Sequence, residues 1–281
     1  MFDFNKGVIF FDGAMGTMLQ EYALKKGKRP DVLNITNPEA VIDVHRMYVE
    51  AGSDIICTNT FGANADDLAK TGYSPEEIIN AAVANAKRAA DGKAKVALDI
   101  GPLPALIKPL GKLTREQAYN LFKQQAVAGE KVGAELVAIE TMSDIEEVKA
   151  AISAVMENTS MPVFATMTFN EKYRTFTGCT PEIFAKTAEE IGAAAIGLNC
   201  MLQPTQMYDV AERLIKATKL PVIVKPNAGL PDFETEQYDL GAEDFARQMV
   251  PFAELGAKII GGCCGTTPEY IKSIVANLSG R

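Results

Sequence analysis

Short apolar runs rich in Val, Ile and Phe alternate along the chain with longer stretches whose apolar residues recur at helical spacing. Residues 7–12, 54–57, 95–100, 135–140, 162–167, 195–199, 221–225 and 258–261 read as strands. Between them, 38–51, 75–90, 114–132, a segment capped by Ser143, 181–191, 204–218, 242–255 and a segment from Pro268 read as helices. Asn37, Ser74, Thr114 and Thr267 stand where N-caps belong, and Glu76 and Glu77 suit the positive end of a helix dipole. Eight strand–helix units in 281 residues predict an α/β fold, a (β/α)8 TIM barrel forming one domain over 1–281. A doubly wound sheet is the alternative, but the glycines of Asp12–Gly13–Ala14–Met15–Gly16 lack the dinucleotide-binding spacing.

Composition narrows the function classes. With 28 Lys+Arg against 36 Asp+Glu the net charge is −8, which argues against a nucleic-acid-binding role. No apolar run reaches the length of a membrane helix, and the opening residues do not form a secretory signal. The five cysteines include the neighbours Cys263 and Cys264, which are poorly placed to bond to each other. Reduced thiols and a cytoplasmic location are therefore expected.

A barrel of this kind carries its chemistry at the C-terminal strand ends. The polar residues there are Asp12, Thr58, Asn59, Thr60, Asp99, Glu140, Asn199, Cys200, Asn227, Cys263 and Cys264. Strands six and eight lie two apart, so Cys200 can converge with Cys263 and Cys264. Gly261, Gly262 and Gly265 let the backbone turn sharply around the pair. Three thiolates suit zinc rather than magnesium or calcium. The plainer reading is three buried small hydrophobes. Cys57 and Cys179 read as structural, and His45, inside a helix, as ordinary. Lys225 ends strand seven, where a lyase would carry a Schiff-base lysine, but no neighbour in sequence argues for a depressed pKa. The acidic segment 232–239 reads as a solvated loop.

FDGAMGTMLQ (11–20), TNTFGAN (58–64), DIGP (99–102), ET (140–141), GLNC (197–200), KPNAG (225–229) and GGCCGTTPEYI (261–271) together resemble the homocysteine S-methyltransferase family. The resemblance covers essentially the whole chain. Its form is closest to the homocysteine module of cobalamin-dependent methionine synthase. It implies a zinc-bearing barrel with Cys200, Cys263 and Cys264 as ligands, homocysteine as methyl acceptor, and methylcobalamin carried by a partner domain or protein. Synthases of this type continue into folate, cobalamin and activation modules, whereas this sequence stops at Arg281, so an excised module and a free-standing enzyme are both open.

The chemistry follows from the thiol. A thiol of pKa ~8.5 is mostly protonated at neutral pH, and only the thiolate is a useful nucleophile. Coordination removes that proton, and an all-thiolate anionic site keeps electron density on sulfur. Asp12 and Glu140 are the candidates for the substrate ammonium. Backbone amides at Gly13 and Ala14, or the Thr60 hydroxyl, are candidates for its carboxylate. Asn227 is a candidate substrate contact or fourth metal ligand. Asp12 also reads as a turn residue, Glu140 as half of an ion pair, and Asn227 as an Asn turn. Two other functions compete: methyl transfer from a small donor such as S-methylmethionine or betaine, and a non-catalytic zinc- or thiol-binding barrel.

Overall fold

The computed structural model describes residues 2–4, 7–22, 29–231 and 238–279. Its strands are β1 (Ile9–Phe10), β2 (Ile55–Cys57), β3 (Lys95–Ile100), β4 (Leu136–Met142), β5 (Val163–Met167), β6 (Ala195–Asn199), β7 (Val222–Lys225) and β8 (Ile259–Ile260). They run parallel in the order β1-β8-β7-β6-β5-β4-β3-β2. A bridge from Phe11 to Ile55 closes the ring. There the Asp12 N–H donates to Ile55 O at 3.0 Å and the Asp54 N–H to Phe10 O at 2.7 Å. This is the single-domain (β/α)8 barrel that the pattern predicts.

The connections hold α1 (Met15–Tyr22), α2 (Leu33–Thr36), α3 (Pro38–Glu50), α4 (Ala65–Leu68), α5 (Pro75–Ala90), α6 (Arg115–Lys131), α7 (Ile145–Asn158), α8 (Pro181–Ile191), α9 (Pro204–Ala217), α10 (Ala242–Leu255) and α11 (Pro268–Leu278). Capping boxes start α5, through Ser74 and Glu77, and α6, through Thr114 and Gln117. Three expected caps differ. Asp144, not Ser143, caps α7 by accepting from the Glu146 N–H, while Asn37 and Thr267 occupy N-cap positions without a side-chain bond. None of these helices is long and apolar enough to cross a membrane.

Strand alternation divides the core in two. Ile9, Phe11, Ile55, Cys57, Leu136, Ala138 and Phe164 fill the barrel, while Phe10, Ile56, Leu98, Val137 and Ile139 face the helices. Phe2 and Phe4 pack against Phe164 with ring centroids 6.3 and 6.4 Å away. Phe164 lies near the start of its strand, so these rings pack toward the end of the barrel away from the predicted site. At the opposite end Gly261 permits a close approach. A Cβ there would lie 2.7 Å from Phe11 Cβ and 2.9 Å from Asp12 O. The chain after β8 therefore runs directly against the chain after β1.

Candidate active site

A cavity of about 690 Å3 opens at the C-terminal end of the barrel. Asp12, Cys57, Asp99, Glu140, Cys200, Lys225, Cys263 and Cys264 all contribute to its wall. Strand ends that are far apart in sequence thus supply one chemical surface.

The sulfur side is built by backbone. Cys200 and Met201 adopt φ of 60° and 61° immediately after β6, a left-handed turn that non-glycine residues rarely make. The Cys200 N–H donates to Lys225 O at 3.1 Å and the Leu202 N–H to Cys200 O at 2.7 Å. Cys263 N–H donates to Pro226 O at 2.8 Å, and Ala228 N–H to Cys264 O at 2.9 Å. The loops after β7 and β8 are therefore laced together around Asn227. Gly265, at φ 79°, turns the chain away beneath the Tyr238 ring. The Sγ atoms of Cys200, Cys263 and Cys264 lie within 4.8 Å of one another, with Cys200 and Cys264 3.7 Å apart. Hydrogen bonding among these sulfurs, followed by burial, pushes Cys200 up to about 12 and Cys264 up to about 11, and Cys263 is raised as well. As thiols they hold their protons.

The donor set fits zinc. Tetrahedral Zn–S bonds of ~2.3 Å place two sulfurs ~3.8 Å apart, close to the Cys200–Cys264 separation. Cys57, Asp99 and Glu140 form a second cluster with ligand atoms within 4.8 Å. It already faces a cation, since Glu140 is ion-paired with the Lys225 ammonium.

The carboxylate side is deeply buried. Asp12 Oδ2 accepts the Cys57 N–H at 2.7 Å, whereas its Oδ1 is buried without a partner among the described residues. Burial pushes Asp12 up to about 7, against the pull of Lys225. Asp99 Oδ1 is likewise unpartnered, and burial and then Glu140 raise that acid well above its ordinary value. Burial opposes the charge on Lys225, but Glu140, Cys57 and Asp12 hold its ammonium well above the usual range. That is the reverse of what a Schiff-base lysine needs.

Other expected residues take varied places. Gly13 and Ala14 line the mouth, but the Ala14 N–H already donates to Thr266 O at 3.2 Å. Thr60 is fully buried and donates to Asp99 O at 2.7 Å, so it joins strand ends rather than facing the cavity. Asn227 donates its backbone N–H to Leu202 O at 3.0 Å, and its Oδ1 is buried without a partner among the described residues. His45 is buried in α3, apart from the mouth. Cys179 is also buried and bonds Thr180 O at 3.4 Å. Cys57, read as structural, lines the cavity. The acidic segment 232–239 falls outside the described residues except at its last two positions.

Sequence reasoning gave no role to Asp99 or Asn199 and missed α1 altogether. The first turn of α1 borders the mouth, and Gly16 has open space beside it. The N–H groups that open a helix have no partner within it and can receive an anion. The signal was present in Gly13–Ala14–Met15–Gly16–Thr17, a run after a strand, but two glycines obscured the helix.

Comparison with known proteins agrees with this construction. The family described as homocysteine S-methyltransferase matches residues 9–278. Methionine synthases of Mycobacterium leprae (strain TN) and Mycobacterium tuberculosis (strain ATCC 25618 / H37Rv) are each 32% identical over 291 aligned residues. The alignments cover 96% of this chain, which spans only 24% of the length of those relatives. The crystal structure of the homocysteine methyltransferase MmuM from Escherichia coli, oxidized form, matches with TM-score 0.84 at 21% identity, covering 96% of this chain and 95% of that one. The metallated form matches with TM-score 0.82 at 22% identity, covering 96% of each chain. At such identities the structures speak for the fold, and the family match extends through almost every strand and loop described above. The chain belongs to the homocysteine S-methyltransferase family, a family of methyl-transferring enzymes.

Proposed function

We propose that the chain methylates the sulfur of homocysteine to form methionine, using zinc and a methyl group from methylcobalamin on a corrinoid domain or protein. One observation carries this reading: three clustered sulfurs and a buried carboxylate group share one cavity. Cys200, Cys263 and Cys264 would hold the metal. Zinc, when bound, supplies a Lewis acid that makes a thiol ionise at neutral pH.

The chain's own residues then orient the amino acid. The free Oδ1 of Asp12 and the Glu140 carboxylate receive the ammonium. The amides opening α1 receive the carboxylate. Lys225 offsets part of the negative charge of Glu140 and Asp12. With both ends of the amino acid fixed, its sulfur bonds to the methyl carbon as the carbon–donor bond breaks, and the leaving donor keeps that electron pair. Orientation supplies much of the acceleration.

Two observations favour a large donor. Exposed apolar side chains, Phe61, Leu110, Phe176, Met201 and Leu230, stand in loops that follow strands, and Phe61 lines the cavity. The methionine synthase relatives are also about four times longer than the region they share with this chain. The test is zinc content and zinc-edge X-ray absorption of the purified protein, followed by a donor panel. The expected result is one zinc with three sulfur neighbours, four after homocysteine is added, and methyl transfer from a methylcobalamin protein. Transfer only from S-methylmethionine or betaine would replace the donor. Zinc binding without any transfer would leave a binding barrel, and no zinc after reconstitution under reducing conditions would remove the mechanism.

A further inference from the structure

Asn199 ends β6 and is almost wholly buried. Its side chain uses every hydrogen-bonding capacity it has. Oδ1 accepts the Thr141 backbone N–H at 2.9 Å and the Thr166 hydroxyl at 2.7 Å. Nδ2 donates to Thr141 Oγ1 at 2.8 Å and to Cys263 Sγ at 3.6 Å. The orientation of the amide is dictated by its partners. A backbone N–H can only donate, so Oδ1 must face Thr141 and Nδ2 must face the sulfur.

The partner strand is irregular where it is gripped. The register between β4 and β5 shifts between Ile139 and Met142, and Thr141 adopts φ of 62°, a rare conformation for a β-branched residue. Such a bulge re-aims a neighbouring side chain. Here the neighbour is Glu140, which lines the mouth. The amide of Asn199 satisfies the Thr141 N–H at this irregularity and with its other end touches a sulfur of the cysteine cluster.

We propose that Asn199 is a positioning residue that ties the Cys263 sulfur to the Glu140–Thr141 strand end. It sets the direction of that sulfur by an N–H···S bond and holds the cluster in one frame with the carboxylate that meets the amino acid. This inference rests on the zinc reading of the three cysteines. Amide donors to metal-binding groups orient them and tune their basicity, and their loss commonly costs about 10–100-fold in metal affinity.

The test uses the full chain loaded with zinc or with cobalt(II). Asn199→Asp keeps the size and the two acceptor contacts but removes both N–H donors. We expect about 10–100-fold weaker zinc binding in competition with a chromophoric chelator. We also expect a shifted sulfur-to-cobalt charge-transfer band. Thr166→Val removes one bond to Oδ1 and leaves the sulfur contact, so its band should match wild type. A merely structural role would lower the melting temperature of both variants and move neither the band nor the affinity. Asn199→Asp with wild-type affinity and band overturns the proposal. If that variant does not fold, 15N-labelled wild-type protein loaded with 113Cd decides: a scalar coupling from cadmium to the Asn199 side-chain protons supports the bond, and its absence overturns it. Wild-type protein that binds neither zinc nor cobalt overturns the site reading itself, a result distinct from a normal wild type with an indifferent variant.

Discussion

The Lys225 ammonium and the Glu140 carboxylate form an ion pair inside the barrel mouth, with side-chain exposures of only 3% and 12%, and the Lys225 Nζ lies 4.5 Å from the centroid of the Phe11 ring. Removing one partner leaves the other charge buried. Glu140→Gln and Lys225→Met should each cost about 3–5 kcal/mol of stability, and the double variant should recover much of that loss. Urea unfolding of the three proteins checks this. Additive losses in the double variant would show that the two side chains act separately. Glu140→Gln should also weaken homocysteine binding in calorimetry, and unchanged affinity would remove Glu140 from ammonium recognition.

With Asp12 meeting the substrate ammonium as proposed, substrate binding should depend on pH. Burial raises its pKa to about 7, and the substrate ammonium favours its ionised form. Binding should therefore weaken as pH falls below 7, approaching about tenfold per pH unit for this one proton. Asp12→Asn should bind more weakly at pH 8 and lose this component of the slope. The difference between the two proteins isolates it from protons released by the substrate thiol. Parallel pH profiles in calorimetry would contradict the assignment.

Each cysteine of the cluster should be indispensable for the metal. Cys200→Ala, Cys263→Ala and Cys264→Ala should each lose bound zinc and methyl transfer while retaining the circular dichroism of a folded barrel. Zinc content and activity measured on the same samples check this. Full activity in any one variant would refute a three-cysteine site.

His45 should sensitise the fold to acid. It is completely buried, neither ring nitrogen has a partner among the described residues, and burial lowers its pKa to about 3. The unfolded chain takes up the proton near pH 6.5, and the folded chain does not. This group's contribution is present above that pH and is lost as pH falls, at about 1.4 kcal/mol per unit once the unfolded imidazole is protonated. Buried acids such as Asp12 and Glu147, both raised to about 7, have the opposite sign. The informative quantity is therefore the difference from His45→Leu, whose advantage should grow between pH 6.5 and 4 in denaturant titrations.

The sequence carried the barrel because strand and helix periods alternate cleanly, and Ser74 and Thr114 mark helix starts that the structure reproduces. It carried the convergence of Cys200 with Cys263 and Cys264 because eight parallel strands bring all their C-terminal ends to one face. What it withheld depends on side-chain direction. Thr60 and Asp12 both follow strands, yet Thr60 turns toward the backbone of Asp99 while Asp12 faces the cavity. The pairing of Lys225 with Glu140 spans 85 positions and has no local pattern. The left-handed turn at Thr141 is equally invisible, since a β-branched residue gives no warning of positive φ.

The two oxygens of Asp12 divide their labour: Oδ2 holds the Cys57 N–H across the closing seam between β1 and β2, and Oδ1 stands free. On the proposed function, closure of the architecture and recognition of its guest meet in one side chain. An evolutionary change at this position cannot retune affinity in isolation, because it also alters how the ring is fastened. Divergence toward new acceptors is consequently easier through the first turn of α1, which shapes the same cavity without spanning that seam.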